Sequence, residues 1–308
     1  MTFGNWLALA GAAMLALAVV AGLRRSLQTA PRGRRFFRHP STAPGVFVLA
    51  FFVTIALAAP LVSPYPPYRQ LDITRLPDRP PSPEHILGTD PYGRDVWSRL
   101  AHGARVSLSI GAIAMLVAVT MGATVGAVAG YWRGGVDAIL MRLVDVGLAI
   151  PRIFVLLMAA ALWEHVPLWV LVLLIGLTGW FGTSRLVRAE VLSLREREFV
   201  AAARALGAGA GRMIMRHVLP NAAAPIIVSA ALGIRNVLLV EAGMSFLGLG
   251  VPSPAPSWGN MIADGWLRIG TAWWSATFPG LAISLVVMAL NAVADGLRDA
   301  LDPRREAA

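Results

Sequence analysis

The sequence predicts an all-α protein, a polytopic transmembrane helical bundle. The chain is 56% hydrophobic with a mean hydropathy of +0.64, too apolar for an ordinary soluble domain. Several apolar runs also reach the ~20 residues that a helix needs to cross a bilayer core. A soluble all-α protein would show polar faces at helical spacing, and most of these runs show none. Seven runs qualify: 3–23, 44–62, 106–130, 144–163, 166–182, 222–250 and 272–294.

The run 3–23 has no positive residue before it, and the first Arg is Arg24. That order favours an uncleaved anchor, with its N-terminus outside, over a signal peptide. A basic linker completes a first unit, 1–43. A second unit, 44–104, holds the next span and a segment containing PYPPYRQ and PDRPPSP. Proline blocks helix continuation and favours extended chain. This segment is too short for its own core and is expected to cap the outer face.

A third unit, 105–296, holds the remaining spans, and 297–308 is a tail. Run 106–130 carries Ala114, Ala118, Gly122, Gly126 and Gly130 at a spacing of four, on one helix face. Small residues let backbones approach closely in lipid. The stripe reads as helix packing within the chain, with a contact to another subunit or a gate as the sharper alternative. Near 251–271, Trp258, Trp266, Trp273 and Trp274 fit an interfacial belt.

All 27 basic residues are Arg, and their placement orients the chain. Segments 24–43, 131–143, 183–221 and 297–308 hold 18 of them. The other side holds six: Arg69, Arg75, Arg79, Arg94, Arg99 and Arg268. Arg105, Arg152 and Arg235 sit at span edges or inside spans. Arg excess marks the cytoplasmic side, so the C-terminus is expected inside a multi-pass cytoplasmic membrane protein. The net charge of +10 is therefore read as membrane topology, with no nucleic-acid partner.

The chain has no cysteine, which excludes disulfides, thiol nucleophiles and Cys-held metals. It also has no lysine, and a P-loop needs one on the phosphates. The chain is thus not expected to be an ATPase or other enzyme by itself. Its five His are scattered without ligand spacing, so no metal site is expected. Thr89, Asp90, Gly93, Arg94 and Asp95 look like acid–base groups at first. Local salt bridges and a helix cap, with Thr89 or Asp90 as the N-cap, explain them more simply.

The loop 189–221 carries the most information. Residues 189–206 have helix-forming composition without glycine or proline. Leu192, Phe199, Ala203 and Leu206 lie on one side, interrupted by Arg195, Glu196 and Arg197. Gly207 follows where a left-handed helix terminator is expected. Residues 212–219 can form a second short helix before Pro220. A solvated connector is the plain reading, but the loop is long for one. Ala201, Ala202 and Ala203 also offer a smooth surface that another protein could cover.

Ala202, Ala203, Gly207, Leu219 and Pro220 sit at the spacing of the EAA loop of ABC-importer permeases. The wider chain resembles the C-type permease subunit of dipeptide, oligopeptide and nickel importers. The matching words are LGTDPYGRDVWSRLAHGARVSL (87–108), MRLVDVGLAIP (141–151), LSLREREFVAAARALGA (192–208), RHVLPN (216–221), EAGMSFLGLGV (241–251), PSWGNM (256–261) and DGLRDALDPR (295–304). The resemblance implies a heterodimer with a second homologous permease subunit, two cytoplasmic ATPase subunits and an extracytoplasmic solute-binding protein. It implies that ATP and Mg belong to the partners, with no cofactor in this chain.

The resemblance also implies that the helix around 198–207 docks into an ATPase. Phe199, Ala202, Ala203 and Gly207 would carry that contact by shape, with Glu198 and Arg204 as its polar edge and Pro220 closing the loop. Two departures matter. Ala201 stands where the family has its first EAA glutamate, and span 3–23 is extra to the family's six.

Arg235 and Glu241 lie within run 222–250, where ionisable groups are costly, and are possible pathway or gate residues; the alternatives are structural hydrogen bonding for Glu241 and snorkelling or pairing with a partner subunit for Arg235. Six residues apart, they face different sides of one helix and are not expected to pair. The predicted function is a permease subunit importing peptides or related small solutes, coupled to ATP hydrolysis on separate subunits through 198–220. The alternative is an ion-gradient-driven secondary transporter, which few mid-span charges and no clear inverted repeat disfavour. An intramembrane enzyme would need a catalytic constellation within the spans, and none is found.

Overall fold

All seven apolar runs form helix in the computed structural model, which describes residues 2–28, 31–72, 74–163 and 166–301. The first two helices are α1 (Thr2–Gln28) and α2 (Pro31–Phe36). Next come α3 (Thr42–Leu57), its short continuation α4 (Ala59–Val62) and the long α5 (Val96–Trp132). Then follow α6 (Gly134–Ala149), α7 (Arg152–Ala160), α8 (Leu168–Leu177), α9 (Trp180–Arg195) and α10 (Glu198–Ala205). The loop closes with α11 (Ala210–Arg212), a π-helical turn (Met213–Val218) and α12 (Leu219–Asn221). The last three are α13 (Ala223–Phe246), α14 (Trp258–Trp266) and α15 (Trp274–Leu301).

Among the described residues, five stretches can cross a membrane by length and composition: Leu9–Leu27, Val96–Trp132, Leu168–Arg195, Ala223–Phe246 and Trp274–Leu301. A sixth, α6 with α7, is bent by 80°. Pro151 causes that bend, because it cannot donate to the preceding turn and holds Ile150 extended at ψ 126°. The seventh, α3, has only 16 residues. At 1.5 Å per residue it reaches about 24 Å, so α4 is needed to extend it.

Several boundaries differ from expectation. Helix α5 starts ten residues before the run 106–130, at Val96. Its 37 residues make a rod of about 55 Å, longer than a bilayer core. Its N-cap is Asp95, whose side chain accepts from Ser98 N, and neither Thr89 nor Asp90 fills that position. Run 166–182 continues to Arg195 with a break at Thr178–Gly179. The expected continuous helix 189–206 is interrupted at Glu196–Arg197, where Arg197 is extended at ψ 148°. The turn lets Val200 drop into a cluster of Val187, Val191, Met213, Ile214 and Val218. Burying that valine outweighs the modest helix propensity of two exposed charged residues.

The short helix expected at 212–219 is instead a widened π-turn that runs into Pro220 without stopping. Proline removes an i→i−4 donor and crowds the turn before it, and the wider turn relieves that crowding.

The bundle has two distinct ends. At the basic end, Arg195 donates to the Tyr131 carbonyl, and Arg133 pairs with Glu196. Gly296 lies against Thr42 and the Phe36 carbonyl there, which brings the 36–42 linker to the foot of α15. At the proline-rich end, Arg94 bonds Asp264, and Trp274 Nε1 donates to the Thr89 carbonyl. The main core lies nearer this second end, where Phe52, Val96, Ala104, Leu238, Trp258, Met261, Trp274 and Val286 join α3, α5, α13, α14 and α15.

The interfacial tryptophan belt is half realised. Trp266 and Trp273 are exposed, but Trp258 is fully buried and Trp274 nearly so. Trp258 Nε1 is satisfied by the Leu100 carbonyl at 3.1 Å. A buried indole with its N–H paired serves as core packing.

Candidate functional site

The loop at the basic end presents α10 as a short exposed helix. Its inner face is held by Val200, which is fully buried, with Ala203 half-buried beside it. Glu198, Phe199, Ala202 and Arg204 are exposed. Leu206 is 89% exposed and Met215, across the loop, is exposed too. The expected apolar side therefore splits: Ala203 turns inward, while Phe199 and Leu206 stay outside.

Gly207 adopts φ +81°, the left-handed region. The Ala208 amide donates to the Ala203 carbonyl and the Gly207 amide to the Arg204 carbonyl. Those two bonds make a Schellman stop, which satisfies the last carbonyls of the helix. Nothing lies within 4 Å of where a Gly207 side chain would project. Pro220 follows the π-turn directly, within the three-residue α12.

Gly122, Gly126 and Gly130 face α9. A side chain at Gly122 would meet Thr183 at 2.7 Å, and one at Gly130 would meet Val191 at 2.9 Å. At Gly126 it would collide with the Ser184 carbonyl. The stripe thus brings two helices of one chain into backbone contact.

Arg235 and Glu241 have separate surroundings. Glu241 is buried and accepts from Ser107 Oγ at 3.2 Å and Ser245 Oγ at 2.8 Å. Ser107 Oγ in turn accepts from the Trp258 amide. Glu241 therefore ties α13 to α5 and α14. Arg235 donates to Asn291 Oδ1 on α15 at 2.7 Å and to Asn236 Oδ1 at 3.3 Å. It lines a cavity of about 750 Å³ that also includes Arg152, Thr183, Glu190, Ser229 and Arg298.

Two features were not legible beforehand. Arg152 donates to Thr178 Oγ1 at 3.0 Å and to the Ile175 carbonyl, closing the end of α8 at the break before α9. A cation on terminal carbonyls suits the helix dipole. Its position directly after Pro151 was the available signal. The second feature is the long-range part of the salt-bridge block expected at Asp90, Arg94 and Asp95, which draws in Arg99 and Asp264 at the proline-rich end. Arg94 bonds Asp90 at 2.6 Å and Asp264 at 2.6 Å, and Arg99 stands 3.5 Å and 3.4 Å from the same carboxylates. Alongside it, His85 Nδ1 lies 2.8 Å from Asp95 Oδ1. Each of these carboxylates is occupied by a cation, a cap or a backbone amide.

Comparison with known proteins gives a consistent result. Residues 122–307 match the binding-protein-dependent transport system inner membrane component family. Residues 32–81 match the N-terminal transmembrane domain of oligopeptide transport permease C. The dipeptide transport system permease protein DppC of Alkalihalophilus pseudofirmus is 42% identical over 84% of this chain and 84% of its own length. A protein of Brucella suis biovar 1 with a provisional peptide-permease name is 40% identical over 90% of this chain and 93% of its own. A chain of the MetNI methionine ABC transporter, solved in inward-facing conformations, shares the fold with a TM-score of 0.51 at 18% identity. That likeness covers 66% of this chain and 96% of the other. The chain belongs to the binding-protein-dependent transport system inner membrane component family and is a multi-pass membrane permease.

Proposed function

We propose that the chain imports peptides or related small solutes as one of two homologous permease subunits, driven by two ATPase subunits, one of which docks on 198–220. The ATPases hold the ATP and Mg, and an extracytoplasmic binding protein delivers the solute. The observation that carries this reading is α10. It is a helix with one buried anchor, a glycine stop and an exposed apolar edge, set at the end of the bundle that carries most of the Arg. The relatives named as dipeptide and peptide permeases support the cargo class. The excess of Arg at that end supports its placement in the cytoplasm and an outside N-terminus for α1.

In this mechanism ATP binding biases a two-state equilibrium of the spans. Helix α10 moves with its partner. Val200 transmits that motion into α9 through Val187 and Val191, and into the π-turn through Met213. Helix α9 lies along the glycine face of α5, so the shift reaches the wall of the bundle.

The test is Gly207→Trp in the assembled complex. An L residue there costs about 1–2 kcal/mol of backbone strain, yet its Cβ would meet nothing within 4 Å. Membrane insertion should survive while solute-stimulated ATP hydrolysis is lost. Normal stimulation would refute the docking role, and uptake that persists without the ATPase subunits would refute the import mechanism.

A further inference from the structure

Arg235 stands thirteenth of the 24 residues of α13. At 1.5 Å per residue it lies about 17 Å from either end of the helix. Arginines near helix ends snorkel to the interface, but one at the centre has no such route. A guanidinium at that depth calls for a compensating anion. Its hydrogen-bond partners here are two neutral amides, Asn236 and Asn291. They satisfy N–H groups without balancing the charge.

The cavity beside Arg235 is large enough for a small solute, and its polarity is graded. At mid-span it is lined by Met115 and Val237, with Arg152 and Arg235 as its charged groups. Toward the basic end it passes Ser229 and reaches Glu190 and Arg298. Arg152 likewise bonds only neutral acceptors, Thr178 Oγ1 and the Ile175 carbonyl. The deep part of the cavity therefore carries two cations whose hydrogen bonds go to neutral groups.

We propose that this cavity is a carboxylate-binding site, in which Arg235 holds the free carboxylate of a transported solute. The proposal rests on the permease reading above and adds the class of group that the pathway recognises. Arg235 is then a specificity residue. A guanidinium offers paired N–H donors that match a carboxylate, and Asn291 holds it in place on the α15 side. Solutes whose carboxylate is amidated lose that pairing.

The chain's lack of cysteine supplies the test. Ser229→Cys places one thiol in the cavity, and the assembled complex is built with cysteine-free partners in inside-out vesicles. Thiol modification by an anionic methanethiosulfonate is compared with that by a cationic one. Arg235→Gln should lower the anionic-to-cationic rate ratio, and Arg235→Lys should keep it. Coulomb attraction over about 10 Å in water makes the fall about fourfold, and larger in a drier cavity. Trialanine should protect the thiol in the Arg235 protein, and trialanine C-terminal amide should not.

An unchanged ratio in Arg235→Gln would mean that a carboxylate of a neighbouring subunit already neutralises the site, and it would overturn the proposal. Equal protection by acid and amide, or protection by neither, would also overturn it. Neither readout needs ATP, so failure of the ATP-driven import reading would appear separately, as uptake independent of the ATPases.

Discussion

Arg94 shows what a charge requires when it leaves water. Its guanidinium lies between Asp90 and Asp264, and Arg99 reaches the same two carboxylates. Removing one member strands the others. We expect Arg94→Gln to destabilise the protein by about 3 kcal/mol, the lower end for a broken buried pair, because Asp264 retains some contact with solvent. Thermal unfolding in detergent would measure it. Arg133→Gln breaks an exposed pair with Glu196 and should change stability by less than about 1 kcal/mol. Gly126→Val tests packing. Its side chain would run into the Ser184 carbonyl, so α5 and α9 must separate, costing about 1–3 kcal/mol or more. At this scale the sequence was partly legible. The block around Asp90 reads as salt bridges, and it is. Its partner Asp264 lies 170 residues from Arg94, beyond any local pattern. The cap falls to Asp95 because the start of a helix depends on where the preceding chain is anchored.

Among the elements, α10 differed most from its expected form. Composition favours one helix over 189–206, but the structure turns at Glu196–Arg197 so that Val200 can be buried. Propensity differences are small beside the burial of a valine, and burial depends on Met213 and Val218, which come later in the chain. The glycine stop was legible because only backbone chemistry decides it. Val200→Asp places a charge in that cluster and should free α10 from the bundle. We expect membrane insertion to persist and solute-stimulated ATP hydrolysis to fall at least about tenfold, the effect of roughly 1.4 kcal/mol in coupling. Phe199→Ser, on the exposed edge, should leave thermal stability unchanged and still weaken ATPase association, measured by co-purification. The bend between α6 and α7 was hidden inside run 144–163 because hydropathy counts apolar residues and ignores a missing N–H. Pro151 was visible, yet proline ends one helix and merely kinks another, and neighbouring contacts decide which.

For the whole molecule, hydropathy and Arg placement set out the architecture, since a bilayer leaves little choice beyond helices. The same physics hides which faces meet inside the bundle. Trp258 illustrates this, reading as an interfacial residue from its surroundings in sequence but lying in the core. The proposed orientation can be checked with single cysteines in this cysteine-free chain. Glu84→Cys should react with an impermeant reagent in intact cells, and Ala201→Cys only in inside-out vesicles; the reverse pattern would invert the topology. The exposed edge of α10 carries a further implication, for cellular supply. Phe199, Leu206 and Met215 each leave apolar surface exposed on a segment that lies outside the apolar spans. A permease made in excess of its ATPase would carry that surface uncovered, as a handle for chaperones and proteases. On the docking proposed above, the amount of stable permease would follow the amount of the ATPase subunit that covers this edge.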